Sequence, residues 1–147
     1  MIDISRLDEG WPEVEALIAP AVRSAMQEVD GAVAGELSVV LSGDAHVRTL
    51  NRDFRGKDAP TNVLSFPMPA ETGLMGDVVF ARETLEREAR DQGKRFEAHF
   101  VHLLVHGVLH LQGFDHMDDA SAKDMEAREI RALARLSIDN PYVWDNR

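Results

Sequence analysis

The sequence predicts a single compact α+β domain over residues 1–147, with a small mixed four-stranded sheet and about five helices. First, short apolar runs alternate with longer segments whose apolar residues recur at helical spacing. Second, the strand candidates "VLSFPM" and "DVVFA" are separated too briefly for a helical crossover, so they are expected to be antiparallel. Third, the chain has no repeats, low-complexity stretches or obvious linkers, as expected for one domain.

The first part of the chain is expected to alternate strands and helices. The stretch "MIDIS" is an edge-strand candidate, and an amphipathic helix is expected from Pro12 to Asp30, with Gly31 after it. The run "ELSVVLSG" is typical of a buried strand ending at Gly43. Asp44 is expected to cap the next helix. The inward positions of that helix are Val47, Leu50 and Phe54.

The second part is expected to supply two more strands and three more helices. "VLSFPM" is a strand ended by prolines, "ETGLMG" is a loop, and "DVVFA" is the next strand. A polar helix is expected over 82–92, ended by Gly93. An apolar helix is expected from about Lys94 to Gly113, a residue type typical of helix C-termini. Asp118 or Asp119 is expected to cap the last helix.

The composition excludes several classes of protein. There is no cysteine, which excludes disulfide scaffolds and thiolate metal sites and fits a reducing compartment. We expect no signal peptide and no membrane span, because no apolar run approaches ~18 residues, and therefore a cytoplasmic protein. The net charge of −10 argues against general nucleic-acid binding. Residues 46–57 nevertheless contain four arginine or lysine side chains and only one acidic residue, Asp53. One local surface is therefore expected to be basic.

The stretch "HGVLHLQGFDH" (106–116) predicts a metal site. His106 and His110 lie four residues apart, on one face of a helix, so two nitrogens can reach one zinc ion at about 2.0–2.1 Å. Gly113 ends the helix and allows the chain to turn back and present His116 as a third ligand. Three ligands leave a position for water, as in catalytic zinc sites. Zinc is the usual metal for imidazole ligands, and nickel, copper or iron are alternatives.

Three neighbouring side chains are not expected to bind this ion. His102 shares the face of His106 but lies about 12 Å along the helix from His110, and His99 lies further away. Asp115 competes with His116 for the third position. His116 is favoured by its spacing from Gly113, and Asp115 is placed beside the ligands instead.

The spacing of these histidines matches that of metzincin proteases, H-E-x-x-H-x-x-G-x-x-H. Gly107 stands where those proteases carry their catalytic glutamate, so peptide hydrolysis by that mechanism is not expected. A metal acidifies its bound water without that residue. Additional stabilisation of charge must then come from elsewhere. Arg55 and Lys57 are the candidates because cationic side chains bind phosphate, and the alternative is that both are solvated loop charges.

Together, "HGVLHLQGFDH", "FRGKDAPTNVLSFP" and "GDVVFA" resemble the YbeY family of metal-dependent endoribonucleases, and the resemblance covers most of the chain. It implies a zinc-dependent, single-strand-specific endoribonuclease that acts in ribosomal RNA maturation, particularly at the 3′ end of 16S rRNA, and in ribosome quality control. It implies the ribosome or small-subunit proteins as partners. The family's metal ligands fall on His106, His110 and His116, and its functional arginine on Arg55.

On this interpretation, Arg55 holds the scissile phosphate, with Lys57 as a further substrate-binding residue. The nucleophile is a zinc-activated water or the ribose 2′-OH. Asp115 and a phosphate oxygen of the substrate are the candidate bases. Two other functions stay open: a ribosome-assembly factor with a structural metal, and a metal-dependent peptidase or other hydrolase.

Overall fold

Four strands and five α-helices make up the part of the chain that this computed structural model describes, residues 2–32, 35–115 and 117–142, except the side chain of Ala70. The strands are β1 (Ile2–Arg6), β2 (Glu36–Ser42), β3 (Val63–Pro67) and β4 (Leu74–Ala81). The helices are α1 (Glu15–Met26), α2 (Asp44–Arg55), α3 (Arg82–Gln92), α4 (Phe96–Leu111) and α5 (Asp119–Ala134). A short 3-10 helix, Ala70–Thr72, lies between β3 and β4.

The strands form one mixed sheet in the order β1-β2-β4-β3. β1, β2 and β4 are parallel, whereas β3 runs antiparallel to β4, with Val63 opposite Phe80. The predicted α+β class, the four-stranded mixed sheet and the antiparallel pair are therefore confirmed. The sheet order leaves β3 at an edge, and this edge positions the candidate site.

Helices cover both faces of the sheet. α1, α4 and α5 pack on one face, around a core that includes Trp11, Phe80 and Phe100. α2 packs on the opposite face, where Val47 contacts a smaller cluster containing Leu64. Along β3, Leu64 and Phe66 consequently point towards α2, while alternate residues point towards α4.

Three predicted boundaries are wrong. α1 begins at Glu15 rather than Pro12 and ends at Met26 rather than Asp30, because beyond Met26 the backbone continues only in single turns. β4 begins at Leu74, so the second half of the predicted loop "ETGLMG" is strand. Pairing decides this, since Leu74 lies opposite Glu36 of β2.

The predictions for α2 are wrong at both ends of the helix. Gly43, not Asp44, is the N-cap. The Asp44 carboxylate instead accepts from the backbone N–H of Thr84, at 3.1 Å, in the first turn of α3, while Glu83 accepts from the Asp44 N–H at 2.9 Å. The two helix starts thus cap each other. Phe54, predicted to point inward, is 68% exposed, because β3 is the edge strand of the sheet that the described residues form.

The other helices agree closely with prediction. α3 has the predicted bounds, and Gly93 closes it in the left-handed conformation. α4 lies within the predicted limits, and α5 begins with a capping box in which Asp118 accepts from the Ser121 N–H at 2.8 Å. None of the described helices combines the length and apolar character needed to cross a membrane.

Gly76 is expected to be intolerant of a side chain. Its φ is +143°, and a Cβ here would lie 2.4 Å from the carbonyl oxygen of Phe66 on the neighbouring strand. We expect Gly76→Ala to lower the free energy of unfolding by about 2–4 kcal/mol, because backbone strain and overpacking act together. Urea denaturation of the purified variant measures this loss.

Gly73→Ala, three residues earlier in the chain, is the matched control. Its φ is +75°, but nothing lies within 4 Å of the added Cβ. The expected loss is only about 1 kcal/mol, from the backbone conformation alone. Equal losses for the two variants would contradict the argument from close contact.

Candidate metal centre

A cleft of about 720 Å³ lies between the C-terminal half of α4 and the edge strand β3. It brings together four of the predicted site residues: Arg55, His106, His110 and Asp115. The other lining residues are Thr61, Asn62, Val63, Ser65, Pro67, His102, Leu103, Gly113, Phe114 and Tyr142. Lys57 is exposed on the turn after α2 and is not among these lining residues.

His106 and His110 approach each other as two ligands of one ion would. Their Nε2 atoms lie 3.0 Å apart. Two nitrogens bound tetrahedrally at 2.0–2.1 Å to zinc would be separated by about 3.3 Å, so a small rotation of either ring reaches that geometry. The donor set is chemically suitable too, because neutral imidazoles are common zinc ligands.

The predicted third ligand, His116, lies outside the described residues. Within 2–32, 35–115 and 117–142, no three histidine, aspartate or glutamate side chains form a possible metal-binding group. Asp115 lines the cleft but does not complete such a group with His106 and His110. Gly113, with φ of +98°, follows α4 and gives the backbone freedom to change direction before residue 116.

A buried carboxylate, Glu129 of α5, holds the histidines from behind. Its side chain is 0% exposed, and its Oε2 accepts from Nδ1 of His106 at 2.8 Å. Its Oε1 accepts from Nε2 of His102, at 2.9 Å, and from the hydroxyl of Tyr142. In a neutral His106 ring, donation through Nδ1 leaves the lone pair on Nε2, on the cleft side, which is the form that binds metal.

The charges of this network follow from its hydrogen bonds. Burial alone would raise the pKa of Glu129, but donation by His102, His106 and Tyr142 outweighs it and holds this pKa at about 2. Burial lowers the pKa of His102, so its ring is neutral at neutral pH. Burial and the adjacent Glu129 carboxylate raise the pKa of Tyr142. The network therefore holds one negative charge, on Glu129, behind the imidazoles of His102 and His106.

His99 and His102 take structural roles in this arrangement. Nε2 of His99 lies 2.9 Å from Oε1 of Glu88 in α3, and the same oxygen accepts from the Asn62 amide at 3.1 Å. Asn62 immediately precedes β3 and lines the cleft, so this contact ties the cleft wall to α3 and α4. The prediction that neither histidine binds the metal remains a prediction.

Arg55 lies across the free edge of β3. Its NH2 donates to the carbonyl oxygen of Ser65 at 2.9 Å, and its guanidinium carbon lies 5.8 Å from the ring centre of Phe66. Within the described part of the chain, these are the contacts of this guanidinium. Its remaining N–H groups can therefore donate to an anion in the cleft.

Gly107 allows α4 to lie close to the sheet. A Cβ at this position would be 3.0 Å from Cγ1 of Val78 and 3.2 Å from Oγ of Ser65. A larger side chain at 107, such as the glutamate of the metzincins, would therefore press against Val78 and Ser65, which would have to shift by a few tenths of an ångström. The residue that removes the protease base is also required by the packing of this helix.

Sequence reasoning missed Glu129 and Tyr142. A signal for Glu129 was present, because it lies at helical spacing between Met125 and Leu133 on the apolar face of α5. A charged residue in such a stripe is rarely buried without a partner. Tyr142 gave no comparable signal, since it lies beyond the last helix.

The chain is similar to known proteins along most of its length. The profile of the family described as "Endoribonuclease YbeY" matches residues 5–137. A protein of that name from Paramagnetospirillum magneticum is 51% identical, over 91% of this chain and 88% of the relative. Another from Sphingopyxis alaskensis is 54% identical, over 78% of this chain and 75% of the relative. A solved protein from Thermotoga maritima has a TM-score of 0.62 at 25% identity, over 99% of this chain and 97% of its own.

Glu129→Gln is expected to lower the free energy of unfolding near neutral pH, to remove part of its dependence on pH, and to weaken metal binding. The folded pKa of about 2 lies below the ordinary value of 4.5, so ionised Glu129 stabilises the fold above pH 4.5, and this contribution is lost as the pH falls towards 2. The separation of the two values corresponds to roughly 3 kcal/mol. An amide also turns a donor towards one histidine, so we expect metal affinity to fall about 10–100-fold.

Urea denaturation of the chelator-treated protein at pH 3–7 and metal titration measure these two effects. Glu97→Gln, in the exposed first turn of α4, is the control and should behave as the parent protein. A Glu129→Gln variant with the parent's pH profile and metal affinity would contradict the role of this carboxylate.

Proposed function

Because this chain belongs to the YbeY family of endoribonucleases, we propose that the cleft between α4 and β3 is where it cleaves single-stranded RNA during the maturation of ribosomal RNA. The observation that carries this proposal is the approach of two imidazole Nε2 atoms, of His106 and His110, in the same cleft as Arg55. A metal site beside a permanent cation suits a phosphodiester, whose transition state gathers negative charge.

The proposed cofactor is one zinc ion held by His106, His110 and His116. An all-imidazole ligand set favours zinc among the common metals. When bound, zinc would supply a Lewis acid that polarises a phosphate oxygen or acidifies a water molecule. Glu129 fixes the ring orientation of His106, and its hydrogen bond increases the basicity of the ligating nitrogen.

Arg55 and Asp115 are proposed to act directly on the substrate. Arg55 binds the scissile phosphate through the guanidinium N–H groups that Ser65 does not occupy. Asp115 is the one carboxylate among the described lining residues, and it is our candidate base for the attacking hydroxyl, with a phosphate oxygen of the substrate as the alternative. Lys57 lies outside the cleft and attracts the neighbouring phosphates through its charge.

The ribosome is the proposed context of this activity. A net charge of −10 disfavours binding of free RNA. We therefore expect small-subunit proteins to present the RNA in the cytoplasm, at the 3′ end of 16S rRNA and in ribosome quality control. The alternative functions are less well supported, because Gly107 stands where a protease would carry its catalytic glutamate and a cleft of this size exceeds the needs of a structural ion.

Metal removal is expected to abolish RNA cleavage. His110→Ala should lose about one equivalent of zinc per chain by elemental analysis and lose cleavage of a single-stranded oligoribonucleotide. A chelator should do the same to the parent protein, with recovery after zinc is restored. His46→Ala is the matched control, because His46, on α2, shares a hydrogen bond with Ser42 of β2 and does not line the cleft. Cleavage that survives both chelator and His110→Ala would refute a metal role.

Arg55→Ala is expected to lower kcat/KM for RNA by about 10²–10³-fold, the usual effect of removing one donor to a developing negative charge. Arg55→Lys should restore only part of this, because an ammonium cannot bind phosphate through two parallel hydrogen bonds. Arg90→Ala, exposed in α3, is the control. Normal RNA cleavage by Arg55→Ala would refute the assignment of Arg55 to the scissile phosphate. If the parent protein cleaved peptides but not RNA, the peptidase alternative would be favoured.

A further inference from the structure

Phe54 is an aromatic residue that the fold leaves largely uncovered. It lies in the last turn of α2 and is 68% exposed. Its described ring contact is with Phe66 of β3, at 5.7 Å between centroids and 67° between planes. A single exposed apolar residue is normal on a protein surface, so the neighbours of this ring decide whether it has a binding role.

The exposed ring is continuous with the candidate active site. Phe54 contacts Phe66, the guanidinium of Arg55 lies over the Phe66 ring, and Arg55 reaches into the cleft. We call these three residues, Phe54, Phe66 and Arg55, the rim strip. It passes around the free edge of β3, from the face covered by α2 to the face covered by α4.

The charge of this region suits a polyanion. Arg52 is paired with Asp53, but Arg55 and Lys57 form no ion pair with any described residue. The strip therefore offers an aromatic ring beside unneutralised cations, on a protein whose net charge is −10. A specific protein partner needs at least about 1,200 Å² of total contact area, whereas a single nucleobase needs only one aromatic ring on which to stack. One exposed ring therefore suits a nucleobase better than a protein partner.

We propose that Phe54 is a base-stacking subsite for single-stranded RNA. The base adjoining the scissile phosphate stacks on Phe54 while that phosphate lies on Arg55. This inference rests on the proposed function and deepens it. Stacking on an aromatic ring is tolerant of sequence, but a paired base in a duplex already stacks on its neighbours. Phe54 would thus contribute to the preference for single strands.

Binding of a 2′-O-methyl oligoribonucleotide, which cannot be cleaved through its 2′ oxygen, tests this directly by fluorescence anisotropy. Phe54→Ala and Phe54→Leu should each weaken binding by about 5- to 100-fold, while Phe54→Trp should bind within about twofold of the parent. Leu7, which follows β1, is also an exposed apolar residue, with 61% of its surface accessible. Leu7→Ala is the control and should leave oligonucleotide binding unchanged. The salt dependence should stay unchanged in Phe54→Leu but decrease in Lys57→Ala.

An abasic scan of the same oligonucleotide locates the stacked base. At one position, removal of the base should weaken binding to the parent protein but not to Phe54→Ala, because the two changes remove the same contact. Parent-like binding by Phe54→Leu, or additive effects at every position, would overturn the subsite. So would a Phe54→Ala variant that binds the oligonucleotide normally but small ribosomal subunits weakly, which would identify a protein-docking surface. Since no cleavage is needed, a failure of the proposed catalysis would not disturb this result.

Discussion

The buried carboxylate of Glu129 is the interaction on which the histidine site depends. An ionised carboxylate with no exposed surface is unfavourable unless hydrogen bonds replace its water. Here the donors come from α4, through His102 and His106, and from the residues after α5, through Tyr142. One charge therefore joins three segments of the chain, and the same contacts fix the orientation of a predicted metal ligand. Stability and site geometry cannot be varied independently at this position.

The close approach of α4 to the sheet sets the shape of the cleft. Gly107 brings the helix backbone near Val78 and Ser65, so the imidazoles one residue before and three residues after it lie beside the edge strand. The carbonyl of Ser65 in turn anchors Arg55. Ser65 of β3 thus contributes twice: with Val78 of β4, its side chain limits how closely α4 approaches the sheet, and its carbonyl accepts a hydrogen bond from Arg55. The proposed phosphodiester chemistry needs this combination, since metal and guanidinium must reach one phosphate.

Much of the fold could be predicted because its signals are local. Gly93 ends α3 and Asp118 caps α5 through contacts with residues close in sequence, and both were predicted. Phe54 was predicted to point inward because helical periodicity cannot reveal that β3 is an edge strand, which is a property of the whole sheet. Glu129 was missed for a related reason: its donors come from other segments of the chain. The site was predicted as far as spacing within one helix allows, and His116 remains a prediction.

The acidity of the protein and its proposed RNA substrate are compatible once the range of each interaction is considered. Charges separated by more than about 8 Å are largely screened at physiological ionic strength. The net charge of −10 therefore opposes RNA only when the strand comes within about this distance, whereas the proposed role of Arg55 is exerted in direct contact with a phosphate in the cleft. Stacking on Phe54 is not screened at all. Such a surface would retain an unpaired strand brought to it rather than collect RNA indiscriminately, which is the behaviour that the proposed single-strand-specific activity requires.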